Sequence, residues 1–170
     1  MRRDAGKRSL VELGVRTTIA TPRRVRTAAR NLHGAWEWGV ALRGIGWLTA
    51  LPVLKHVMPL PTLTRLMWRG GKGRRRQRRR EQRAAAIVGG LSRRAGGNCL
   101  ERSLLLYRVL SRLNADPVLV AGMGKSGDFI GHAWVEVEGE TLLESPQSLA
   151  PYVEVVRFGA DGLCVRAQDD

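Results

Sequence analysis

Apolar residues recur at helical spacing in the first part of the chain. In residues 23–42 they form one stripe, with arginines on the opposite face, which predicts an amphipathic helix. A second helical segment is predicted over residues 45–58, bent or broken near Pro52. Pro59 and Pro61 predict a stop before a short helix at residues 62–68.

The pattern changes from Asn98 onward. A helical pattern continues to about residue 113 and is followed by a turn at residues 114–117. Short runs rich in valine, leucine and aromatic residues follow, separated by Gly, Asp and Pro, and they predict strands at 117–121, 131–137, 140–144, 152–158 and 163–167. We therefore predict an α+β fold in which one helix packs on an antiparallel sheet.

Charge divides the chain at the same place. Residues 1–97 hold 23 Lys or Arg and 4 Asp or Glu, whereas residues 98–170 hold 6 and 11. This asymmetry predicts a basic helical region over 1–97 and a separate folded core over 98–170. The arginine-rich run at 70–83 is predicted to be a solvated linker or the exposed start of a helix ending near residue 92. We expect this run to make weak contact with anionic surfaces. Because no aromatic residue interrupts it, nucleic-acid binding through base stacking is not expected.

Cysteine usage and hydropathy restrict the class of protein. Cys99 and Cys164 are far apart and form no Cys-x-x-Cys motif, which argues against a disulfide scaffold or a structural zinc site. The N-terminus lacks the apolar segment of a secretory signal, and the longest apolar stretch is too interrupted to span a membrane. We expect a cytoplasmic protein with no cofactor and no metal.

The stretch GGNCLERSLLLYRVL places Cys99 where a helix begins. Glycines and an asparagine are turn and cap residues, and the apolar run after them is long enough for a helix. Unpaired backbone N–H groups and the helix dipole favour a thiolate at that position. Cys99 is therefore a candidate nucleophile, with a small buried hydrophobic residue as the alternative.

A histidine and four glutamates lie in the next hairpin, IGHAWVEVEGETLLES. Alternation along the strand puts His132, Trp134 and Glu136 on one face. A three-residue loop ending at Gly139 requires a positive φ only at the glycine, and its register places Glu144 opposite His132. If the N-terminus of the preceding helix meets that face, Cys99, His132 and Glu144 form a nucleophile, a base and an orienting acid.

Other residues are weaker candidates for the same chemistry. Glu136 or Asp128 could replace Glu144 only in a different register. Cys164 lies in a terminal strand, and His33 and His56 lie in the helical region without a thiol nearby.

NCLERSLLLYRVL followed by FIGHAWVEVEGETLLES resembles the C-terminal peptidase domain of the lasso peptide biosynthesis B proteins, in the transglutaminase-like cysteine protease superfamily. The resemblance covers residues 98–152. It implies removal of the leader from a ribosomally made precursor, with Cys99, His132 and Glu144 as the triad. It also implies the split form of the family, which works with a separate leader-recognition protein and an asparagine-synthetase-like cyclase.

Two other functions remain open from sequence. A transglutaminase-like acyl or amide transferase would use the same triad and pass the acyl group to an amine instead of water. A basic nucleic-acid-binding protein with a noncatalytic C-terminal part would bind through the positively charged half, and that binding would survive loss of Cys99.

Overall fold

The computed structural model describes residues 32, 34–70, 77–125 and 130–165 of the chain. Four helices come first: α1 (Ala35–Val57), α2 (Leu60–Met67), α3 (Arg78–Ala95) and α4 (Cys99–Arg112). Strands β1 (Val118–Gly124), β2 (Gly131–Val137) and β3 (Glu140–Leu142) follow, then the one-turn helix α5 (Pro146–Leu149) and strands β4 (Tyr152–Phe158) and β5 (Cys164–Val165). A 3₁₀ turn, Ala160–Gly162, joins the last two strands. The predicted α+β class is confirmed.

Helix α1 is a single helix where two were predicted, one over 23–42 and a second over 45–58 bent or broken near Pro52. It runs unbroken from Ala35 to Val57 through the proline, after an extended Gly34. Leu51 before the proline is buried and Leu54 after it packs partly buried on the core, so packing outweighs the one backbone hydrogen bond that the proline removes. Residues 23–31 of the predicted first helix lie outside the described residues.

The next two helices begin close to their predicted positions. Helix α2 starts at Leu60, earlier than expected, because Pro61 lies in its first turn, where the missing N–H is not needed. Helix α3 begins at Arg78 inside the arginine-rich run and ends at Gly96, whose φ of 69° closes the helix in the left-handed region. Residues 71–76 of that run lie outside the described residues.

The strands form one antiparallel sheet in the order β3-β2-β1-β4-β5. β2 matches its predicted bounds, as does β4, whereas β1 is longer at its end. β3 stops at Leu142, two residues before the predicted end, because Leu143 has a φ of 68°. The predicted strand at 163–167 is reduced to the short β5 within the described residues.

The β2–β3 hairpin has a different register from the one predicted. Glu136 pairs with Thr141, and Val137 pairs with Glu140, so the loop is the two-residue turn Glu138-Gly139. Both turn residues have positive φ, 54° and 79°, as a type I′ turn requires. The predicted three-residue loop and the direct pairing of His132 with Glu144 were therefore wrong. The prediction assumed that Glu138 would not adopt a positive φ, and Glu138 does adopt one.

Helix α4 lies at the centre of one hydrophobic core. Its leucines and Tyr107 pack between the sheet and helices α1, α2 and α3, which contribute Leu51, Met67 and Val88. The helices before residue 97 thus share this core with the sheet, and the division into units 1–97 and 98–170 stays a prediction. Over the described ranges, no helix has both the length and the apolar character needed to cross a membrane.

The backbone of the 3₁₀ turn lies in close contact with the backbone of α2. Gly162 has a φ of 67°, and a Cβ there would lie 2.4 Å from the backbone nitrogen of Arg65. Gly162→Ala should therefore lower the free energy of unfolding by about 2 kcal/mol, from backbone strain and steric overlap together.

Gly139→Ala is the matched control, since Gly139 also has positive φ but no atom lies within 4 Å of a Cβ there. It should cost about 1 kcal/mol, from conformational strain alone. Urea unfolding of both variants measures the difference. Equal losses would contradict the close contact between the 3₁₀ turn and α2.

Candidate active site

The first turn of α4 is fixed by a capping box. The Asn98 side chain accepts a hydrogen bond from the backbone N–H of Glu101 at 2.9 Å, and the Glu101 carboxylate accepts one from the N–H of Asn98 at 3.2 Å. Glu101 is buried, and Lys55 of α1 donates to its other oxygen at 2.6 Å. This ion pair ties the first turn of α4 to α1.

Helix α4 meets strand β2 at its N-terminal end. The Ser103 hydroxyl donates to the carbonyl oxygen of Ala133 at 2.8 Å, and the Cys99 Sγ lies 3.9 Å from the carbonyl oxygen of Gly131. Residues one helical turn apart thus contact alternate residues of the strand. The thiol is partly exposed and lies beside the residue that precedes His132.

His132 is held between aromatic side chains on the face of the sheet. Its ring stacks on Tyr152 at 4.7 Å between centroids and on Trp134 at 6.3 Å. Gly122 lies between β2 and β4 at this level, and a Cβ there would lie 3.0 Å from the Trp134 ring. The glycine therefore leaves room for the stack that orients the imidazole.

The imidazole faces Glu144. His132 Nε2 lies 3.5 Å from Glu144 Oε1, and both side chains are mostly buried, at 17% and 13% exposure. This distance is longer than a hydrogen bond, and Nε2 has no hydrogen-bond partner among the described residues. With Nε2 directed to the carboxylate, Nδ1 is the ring nitrogen left to exchange a proton with a thiol.

Glu144 reaches this position through the kink at Leu143. With regular alternation from Leu142, which pairs with Val135, Glu144 would lie on the opposite face of the sheet from His132. The left-handed Leu143 reverses that direction, and its side chain contacts α3 where Gly89 leaves space. Arg102 donates a very short hydrogen bond to Glu144 Oε1, and the Ser148 hydroxyl lies 3.3 Å from Oε2.

The weaker candidates from sequence lie apart from this cluster. Glu136 accepts hydrogen bonds from the Trp134 indole at 2.8 Å and from Arg157 at 2.5 Å. Cys164 is exposed in β5, and His56 is exposed near the end of α1. Asp128 and His33 lie outside the described residues.

Arg102 and Tyr152 are site residues that the sequence reasoning missed. Arg102 lies one helical turn after Cys99, so its spacing was a usable signal. Tyr152 had no local signal, because it reaches His132 only through the strand order β2-β1-β4. In the described part of the chain, no group of three or more His, Cys, Asp or Glu side chains is arranged to hold a metal ion.

Comparison with known protein families gives a match. A family model described as the transglutaminase-like superfamily matches residues 41–157, more than two thirds of the chain. The match begins in α1 and ends in β4, so it includes every element that positions the cluster. No curated protein and no solved structure matches the chain. The chain belongs to the transglutaminase-like superfamily.

Proposed function

We propose that this protein is a cysteine peptidase that removes the leader peptide from a ribosomally synthesised lasso peptide precursor. The observation that carries the proposal is the meeting of the α4 N-terminus with β2, where the Cys99 thiol lies beside Gly131 and the next residue, His132, faces Glu144. The specific substrate rests on the resemblance of residues 98–152 to the lasso peptide B proteins.

The proposed reaction begins when Cys99 transfers its proton to His132 and attacks the carbonyl carbon of the scissile peptide bond. The tetrahedral intermediate collapses, the C–N bond breaks, and the imidazolium gives its proton to the leaving amine. His132 then takes a proton from a water molecule as that water attacks the thioester carbonyl. The C–S bond breaks, the leader leaves with a free carboxylate, and His132 returns the proton to the Cys99 sulfur. The backbone N–H of Cys99, at the helix start, is the proposed donor to the oxyanion.

Glu144 and Arg102 have separate parts in this scheme. The carboxylate orients the imidazole and stabilises the imidazolium that forms in the first step. Arg102 positions that carboxylate from the same helix that carries the nucleophile, three residues away. A single helical turn thereby sets the relative placement of Cys99 and Glu144.

The proposed partners follow from the same resemblance. A separate recognition protein delivers the leader, and an asparagine-synthetase-like cyclase closes the macrolactam on the amine that cleavage frees. The rival activity, acyl or amide transfer, shares the thioester and differs only in its acceptor, so the cleavage product separates the two.

Replacing the nucleophile gives the first test. Cys99→Ala should abolish leader cleavage without loss of fold, because Cys99 is partly exposed and contributes little to the core. Cys164→Ala is the matched control and should retain full activity. The measurement is mass spectrometry of a precursor incubated with the enzyme and the recognition protein from one biosynthetic gene cluster.

Three outcomes of that assay count against the proposal. Normal cleavage by Cys99→Ala excludes the cysteine mechanism. A leader recovered as an adduct with an added amine, instead of a free carboxylate, supports the transferase. Absence of any product from the native enzyme, with a folded recognition protein present, contradicts leader removal itself.

Replacing the orienting acid gives the second test. Glu144→Gln keeps the shape of the side chain but removes the negative charge, so the cleavage rate should fall by roughly 10²–10⁴-fold. Glu144→Asp should recover part of the loss. Single-turnover cleavage rates measure the chemical step.

Glu136→Gln is the matched control, because Glu136 lies in β2, the strand that also carries His132. Glu136 lies on the same face of the sheet but pairs with Arg157 and Trp134, so its replacement should slow cleavage much less. A severe loss at Glu136 together with near-normal activity at Glu144 would reject Glu144 as the third member of the triad.

A further inference from the structure

A groove lies between α1 and α4, away from the candidate active site. It has a volume of about 240 Å³, and residues from one stripe of each helix line it. The two helices run antiparallel, since Lys55 near the end of α1 contacts Glu101 at the start of α4, and the groove lies toward the other ends. Arg112 is thirteen residues after Cys99, so this end of α4 lies about 20 Å from the thiol.

The groove has an apolar floor and a cationic rim. Val109 of α4 and Leu113 at its C-cap supply partly exposed aliphatic surface. Arg43, Arg108 and Arg112 line the same space. Arg43 and Arg112 are exposed. Among the described residues, no carboxylate lies within ion-pair distance of any of these three arginines.

Arg108 shows that the positive charge is built into the fold. It is buried at 8% exposure, lies 4.2 Å from the ring centre of Trp47, and donates to the carbonyl oxygen of Leu66 at 3.0 Å. Burial, together with the positive charges of Arg112 and Arg69, lowers the pKa of Arg108 to about 10. Burying a cation that has no carboxylate partner among the described residues costs free energy, and an anionic ligand nearby would offset that cost.

We propose that the groove between α1 and α4 is a docking site for an acidic segment of a partner polypeptide that also carries aliphatic side chains. The carboxylates would pair with Arg43 and Arg112 at the rim, where solvent access is free. The aliphatic side chains would cover Val109 and Leu113. The site is separate from the proposed peptidase chemistry, so either proposal can fail without the other.

The lining favours a peptide over a nucleic acid. One face of the Trp47 ring is occupied by Arg108, and the Arg80 guanidinium lies 5.6 Å from the ring centre of Trp36. The two indoles are thus engaged by cations of the protein itself and offer a poor platform for stacked bases. Val109 and Leu113 add partly exposed aliphatic surface, which suits leucine or valine side chains.

The test uses the full-length protein and a short fluorescein-labelled peptide of leucine and glutamate, with binding followed by fluorescence anisotropy. Saturable binding should weaken with added salt. It should be lost when glutamine replaces glutamate or serine replaces leucine, and it should persist in Cys99→Ala. Arg43→Gln with Arg112→Gln should weaken binding by about tenfold or more.

The matched control changes two exposed arginines on other helices, Arg65→Gln with Arg79→Gln, for the same change in net charge. Binding should stay within about twofold of the native protein. Equal losses in the two double variants would indicate generic attraction to a basic protein and overturn the proposal. So would tight binding of a single-stranded RNA oligonucleotide that displaces the peptide, or no saturable peptide binding in low salt.

Discussion

The burial of α4 on nearly every side is the constraint on which the rest of the structure depends. A helix with one solvated face could slide or rotate on the sheet, whereas α4 has the sheet on one side and three helices on the others. The buried polar residues of α4 have specific partners, among them Lys55 for Glu101, Ala133 for Ser103 and Leu66 for Arg108. Because an unpaired buried polar group is costly, these contacts fix the register of the helix on β2. Because Cys99 is the first residue of α4, its position is fixed together with that of the helix.

The helices that precede α4 therefore contribute to the candidate site. Lys55 of α1 pairs with the carboxylate next to the thiol, and Gly89 of α3 gives space to Leu143, whose left-handed backbone turns Glu144 toward His132. The family match from residue 41 onward covers these same elements. The basic helical region thus helps to position the candidate site, and the groove between α1 and α4 gives it a proposed second role in binding.

The sequence predicts the elements well and their long-range placement less well. The helix start at Cys99 and the strand with His132 carry strong local signals, a cap residue followed by an apolar run and a strict alternation. The predicted register of the β2–β3 hairpin was wrong because the choice between a two-residue and a three-residue turn depended on the φ of Glu138. The candidate triad nevertheless contains His132 beside Glu144, for a reason that the sequence did not supply, the kink at Leu143. Tyr152 depends on strand order, which no local pattern encodes.

The central claim is that α4 and β2 bring the Cys99 thiol and the His132 imidazole together, and alkylation by iodoacetamide tests it without any knowledge of the substrate. Cys164 is the more exposed of the two thiols, so accessibility alone would make it react faster. We predict the reverse at neutral pH, because the role proposed for His132 is to take the proton from the Cys99 thiol. His132→Ala should slow alkylation of Cys99 about tenfold or more and leave Cys164 unchanged. Faster reaction at Cys164, or a Cys99 rate that is indifferent to His132, would contradict the account.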